Sequence, residues 1–149
     1  MNPDDVHTLA KTIYGEARGE VYMRARVMVG KVVLNRVRKG GWWGDTVETV
    51  CRKPFQFSCW NPSDPNYKII NRPSSELYPD PAFLECLGIA ALLLSGRKGL
   101  PADFAREAHT DAVTHYCTQA LFEKSPPDWA KGRMQDFAIG NHYFFSGVS

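Results

Sequence analysis

Two glutamates stand four residues apart in Tyr14-Gly15-Glu16-Ala17-Arg18-Gly19-Glu20. Val6, Leu9, Ala10 and Ile13 precede them at helical spacing. A helix that continues through Gly15 sets Glu16 on the edge of this apolar stripe, with Glu20 on the same side. A carboxyl held against apolar neighbours keeps its proton to higher pH, because burial penalises the charge. A general acid working near neutrality needs that property. If the helix stops at Gly15, both glutamates are solvated loop residues beside Arg18. Spacing leaves the two readings open.

Aromatic and polar side chains interleave in Gln56-Phe57-Ser58-Cys59-Trp60, in Thr114-His115-Tyr116 and in Ile139-Gly140-Asn141-His142-Tyr143-Phe144-Phe145, with Trp42, Trp43 and Trp129 adding rings. Flat apolar faces beside amides and hydroxyls suit an oligosaccharide, although a single Phe or Tyr is more often core. His115 and Cys117 alternate along one predicted segment and, with His109 or His142, offer metal ligands, but the paired spacing of zinc sites is missing. Cys59 or Cys51 with His115 as base would make a thiol nucleophile. The apolar setting of Cys59, without a nearby positive charge, argues for an inert thiol.

The elements that must position these groups are legible in outline. Asn2-Pro3-Asp4-Asp5 has the makings of a capped helix start. A second helix is predicted over about Tyr22 to Lys39, apolar most of the way round and therefore central. Gly40-Gly41 ends it, and Asp45 with Glu48 three residues on predicts a third helix. From Pro54 to Pro81 six of the ten prolines fall in what reads as a long surface excursion. Within it Phe55 to Trp60 alternates as a strand. A helix from about Asp80 to Leu94 follows, stopped by Gly96 and Gly99. Val113 to Cys117 and Phe137 to Phe145 read as strands, the latter folded at Gly140-Asn141 into a hairpin. The fold class is α+β in one domain over 1–149.

Composition narrows the class further. With 44% hydrophobic and 23% charged residues the chain is globular, not disordered. Its longest apolar run, Ile89 to Leu94, is far short of the roughly 20 residues that span a bilayer. The net charge of +2 is too small to imply nucleic acid. Arg24, Arg26, Lys31, Arg36, Arg38 and Lys39 do cluster, as a solvated face rather than a contact for an anionic polymer. Four sparse cysteines are expected as reduced thiols, and the acidic start lacks the apolar core of a secretion signal.

Taken in order, Ala10 to Glu20, Val32 to Val37, Gln56 to Trp60, Thr114 to Tyr116, the Trp129 segment and Ile139 to His142 resemble the catalytic domain of the SleB-type cell wall hydrolases, the family of spore cortex-lytic enzymes and related bacteriophage lysins. The resemblance implies a lysozyme-like, lytic-transglycosylase-like fold and cleavage of the β-1,4 bond between N-acetylmuramic acid and N-acetylglucosamine. It implies Glu16 as the catalytic acid. Glu20, Gln56, Ser58, Trp60, Thr114, His115, Tyr116, Asn141 and His142 hold family motif positions, expected to bind substrate or support the site.

One carboxyl suffices for a lytic transglycosylase. A hydrolytic muramidase needs a second, for which Glu20, Asp111 or Asp136 are candidates. Four residues along one helix would set Glu20 beside Glu16 and not across a groove, which favours the transglycosylase. Two stretches depart from the family pattern. Val21-Tyr22-Met23-Arg24-Ala25-Arg26 is bulkier and more basic, and Ala112-Val113 replaces the usual Gly-Ala. No cofactor and no metal are expected. The expected partner is the glycan strand of peptidoglycan, met by a monomer without nucleic acid or stable membrane insertion. Synthesis in a host cytoplasm and release through a holin-type lesion would suit a phage endolysin.

Overall fold

The structure, a computed structural model, describes residues 2–96 and 110–148. Helix α1 (Pro3–Ala17) begins as the sequence predicts: Oδ1 of Asn2 accepts from the Asp4 N–H at 2.9 Å, and proline fills the first turn. Its face of Leu9, Ala10 and Ile13 is fully buried. Helix α2 (Met23–Lys39) is the central helix, packing on α1 with Ala25, Val29, Val32 and Val33 out of solvent.

Helix α3 (Val47–Arg52) starts one residue later than Asp45 would set it. Thr46 is the cap, and Thr46 and Thr49 each bond the other's N–H at 3.1 Å, so Glu48 is not the partner in the box. The proline-rich stretch is not a bare excursion either. It forms α4 (Pro65–Ile70) and α5 (Ser74–Leu77), which send Ile70 and Leu77 into the core. Helix α6 (Pro81–Leu94), capped by Asp80, closes against α1 and α2. Gly96 follows it at φ +63°, while Gly99 lies outside the described residues.

The predicted strand over Phe55 to Trp60 does not form. The chain turns there and makes one 3-10 turn, Ser58–Trp60. Phe57 and Cys59 are nonetheless buried, so their alternation reflects a turn folded over α1, with no strand partner.

Strand β1 (Val113–Thr118), helix α7 (Gln119–Lys124), strand β2 (Phe137–Ile139) and strand β3 (His142–Ser146) complete the described chain. The sheet is antiparallel in the order β1-β3-β2, with Thr118 opposite His142 and an irregularity between Val113 and His115. The hairpin turns at Gly140-Asn141 as predicted. The protein is α+β, helices first and a small sheet last.

Two side chains of α2 fasten that sheet. Nδ2 of Asn35 donates to the carbonyls of Thr110 and Val113, and Nε of Arg36 donates to the Thr114 carbonyl at 2.8 Å. Buried bonds of this kind contribute about 1 kcal/mol each, more from a charged donor. They fix β1 where Tyr116 can reach the end of α1. Among the described residues no helix is long and apolar enough to cross a membrane.

Candidate active site

Helix α1 runs through Gly15 and Glu16 to Ala17 and stops before Glu20. Gly15 explains how the neighbouring turn comes so close: a Cβ there would sit 2.6 Å from the Cβ of Cys59. Without that Cβ, the Ser58–Trp60 turn lies directly on the helix end. It brings the Ser58 hydroxyl to Oε2 of Glu16 at 3.3 Å and the Cys59 backbone N–H to the same carboxyl. From the sheet side, the Tyr116 hydroxyl donates to Oε1 at 2.7 Å.

Burial raises the Glu16 carboxyl above the ordinary carboxylate range, and nearby Asp64 adds to this; the donors Tyr116, Cys59 N–H and Ser58 pull it part of the way back. The carboxyl is thus biased towards the proton-bearing form, yet three donors are in place for the carboxylate. Burial and the adjacent Glu16 hold the Tyr116 phenol well above its usual value, so it remains a donor.

Glu16 opens into a groove of about 430 Å³ whose walls include Gln56, Ser58, Tyr116 and His142. Among the described residues it is the one carboxylate there. Arg36 lines the groove too, its guanidinium 4.2 Å over the Trp43 ring and 4.9 Å over Phe57. Burial pulls its pKa down to about 10, and its Nη1 has no hydrogen-bond partner among the described residues. Phe55 stands at the rim, 87% exposed with φ +65°, a left-handed conformation that aromatic residues rarely adopt.

Glu20 is not beside Glu16 on a helix. After Ala17 the chain turns and the guanidinium of Arg26 gathers the carbonyls of Ala17, Arg18 and Glu20, with Glu85 as its ion partner at 2.7 Å. The Glu20 side chain is buried. It accepts from Nδ1 of His142 at 2.7 Å and from the Asn141 N–H, where a Cβ on Gly140 would collide with it. Glu20 therefore latches the α1–α2 connection to the hairpin turn.

The remaining motif residues separate. Gln56, Ser58, Tyr116 and His142 meet at the groove. Trp60 does not: its Nε1 donates to Thr12 at 2.9 Å and its ring lies under Arg52. Asn141 takes part through its backbone, its side chain being exposed. Thr114 is buried and bonded to Nδ1 of His115 at 2.9 Å, and His115 faces a second pocket beyond Gln56 and Trp129.

The basic cluster of α2 is likewise not one solvated face. Arg26 and Arg36 turn inward, and Lys31 pairs with Asp111 at 2.8 Å. Asp136 bonds Ser146, and neither aspartate lines the Glu16 groove. Val21, Tyr22 and Met23 are exposed and do not line the groove.

The alternatives to a carboxyl site find no geometry among the described residues. All four cysteines are free and buried, and burial pushes Cys51 and Cys86 up to about 12 and Cys59 higher still. Among the described residues no three His, Cys, Asp or Glu side chains gather as a metal site, and His109 lies outside those residues.

Spacing gave no signal for Arg36, one of six clustered basic residues and part of the Val32 to Val37 family segment, nor for Trp43 as its partner.

A family model described as Cell Wall Hydrolase matches residues 20–145. The matched span takes in Arg36, Gln56, Ser58, Tyr116 and His142 and begins four residues after Glu16. Comparison with curated proteins and with solved structures gives no match. On this match over most of its length, the chain belongs to the SleB-type cell wall hydrolase family, enzymes that degrade peptidoglycan.

Proposed function

We propose that the protein is a lytic transglycosylase that cleaves the β-1,4 bond between N-acetylmuramic acid and N-acetylglucosamine, with Glu16 as both acid and base. The observation that carries this reading is the carboxyl that stands alone in the groove among the described residues. Burial favours its protonated form, and Tyr116, Ser58 and the Cys59 N–H donate to the oxygens that would carry the charge once the proton has left.

In the first step the Glu16 O–H protonates the glycosidic oxygen as the bond from C1 of the muramoyl residue breaks, and N-acetylglucosamine leaves with a free hydroxyl. The Glu16 carboxylate, held by its three donors, then takes the proton from the muramoyl C6 hydroxyl while O6 bonds to C1. A 1,6-anhydro sugar results, the Glu16 proton is restored, and no water is consumed. A hydrolytic muramidase would draw on a second carboxylate as nucleophile or base. Glu20, Asp111 and Asp136 are each bonded elsewhere, and Asp64, near enough to raise Glu16, caps α4 through the Asn66 N–H and does not line the groove. This supports the one-carboxyl route.

Glu16→Gln tests the assignment. Loss of the acid should lower peptidoglycan turnover by roughly 10²- to 10⁴-fold while wall binding survives. Turnover at the parent's rate would overturn it.

A further inference from the structure

His115 and Trp129 lie in family motif segments, yet Glu16 chemistry does not account for them. Both line a pocket of about 660 Å³, together with Trp42, Trp43, Gln56 and Lys39. Gln56 and Trp129 also line the Glu16 groove, so the two depressions share a wall.

The rings form an unbroken series. Trp42 meets Trp43 with centroids 4.9 Å apart, Trp43 meets His115 at 5.3 Å, and His115 meets Trp129 at 4.7 Å. The series is also held from behind and at its ends. The Arg36 guanidinium backs Trp43, Trp129 packs on Phe145 of β3 at 5.2 Å, and the Lys53 ammonium lies 4.2 Å from the Trp42 ring. Burial and the neighbouring cations hold His115 down to about 3, so the series carries a neutral imidazole near pH 7.

Rings fixed before a ligand arrives lose little freedom on binding it. Among the described residues the wall has no carboxylate, one amide and one ammonium. That suits a neutral ring with an apolar face and a polar edge better than a charged peptide. We propose that this pocket is a saccharide subsite, holding an N-acetylhexosamine of the same glycan strand whose cleaved bond lies at Glu16. The inference rests on the assignment of the Glu16 groove as the place of cleavage. One strand then spans both depressions across Gln56 and Trp129, and long substrates are preferred to short ones.

Binding to the Glu16→Gln protein tests this, with a dimer and a hexamer of β-1,4-linked N-acetylglucosamine as probes in calorimetry. Trp42 is 64% exposed, so Trp42→Ala should fold. Phe55→Asn perturbs the rim of the Glu16 groove in the same way. The hexamer, long enough to span, should lose about tenfold in affinity to each substitution. The dimer should respond to at most one. A hexamer indifferent to Trp42→Ala, or a dimer weakened by both substitutions, would overturn the proposal. So would Trp42-dependent binding of a free stem tetrapeptide in place of the saccharides. If Glu16→Gln still cleaves the wall, the acid assignment fails separately, and the binding series stands on its own.

Discussion

The Tyr116 hydroxyl donates to Oε1 of Glu16 across 2.7 Å, joining the first strand of the sheet to the last turn of α1. The bond favours the carboxylate and so opposes the burial that raises the Glu16 pKa. Tyr116→Phe removes it. The alkaline limb of the pH–rate profile, where Glu16 loses its proton, should move to higher pH, and kcat should fall by about tenfold for want of one charge-stabilising donor. Rate profiles of the two proteins on purified peptidoglycan check both.

Glu16→Gln should not destabilise the fold. A carboxyl raised by burial contributes stability below its unfolded value of 4.5 that is lost as pH rises through the folded value. The neutral amide escapes that loss. Thermal melts should therefore show the variant melting at or above the parent near pH 7, with the advantage shrinking as pH falls through the folded value towards 4.5 and gone below it.

Glu20 should behave in the opposite way. Its carboxylate is buried against His142 and the Asn141 N–H. Glu20→Ala leaves those groups unpaired and should cost about 3 kcal/mol or more. Activity per folded molecule should stay within about tenfold of the parent's, well short of the loss expected on removing a general acid. Denaturant titration read beside kcat separates the latch from the acid.

How far this site was legible in the sequence depends on how local its causes are. Asn2-Pro3 and Asp80-Pro81 announce helix starts, because cap and proline act within one turn. Asp64-Pro65 is the same signal, hidden by the prolines around it. The buried stripe of α2 and the Gly140-Asn141 hairpin were equally plain. Phe55 to Trp60 misled because a turn that buries Cys59 against α1 and Phe57 against Arg36 and Tyr116 yields the same alternation as a strand. Glu20 misled because helical periodicity was carried past Ala17, where Arg26 draws the carbonyls into a turn. The burial of Arg36 depends on Trp43 and Phe57, contacts that no spacing along the chain encodes.

Phe55 holds a left-handed backbone while its ring stays in solvent at the groove rim. For a residue with a Cβ that conformation costs about 1–2 kcal/mol. Asparagine tolerates it better. Phe55→Asn should raise unfolding stability by up to about 1 kcal/mol and raise KM for peptidoglycan. A stability gain with unchanged KM would mean that the ring does not meet substrate.

The most direct test of a single working carboxyl is the mass of its products. Soluble fragments released from purified peptidoglycan, analysed without borohydride reduction, should be one water lighter than hydrolytic muropeptides, because the muramoyl end closes as the 1,6-anhydro sugar. Full-mass fragments with a reducing muramic acid end would contradict the account and require a second group at the groove to activate water.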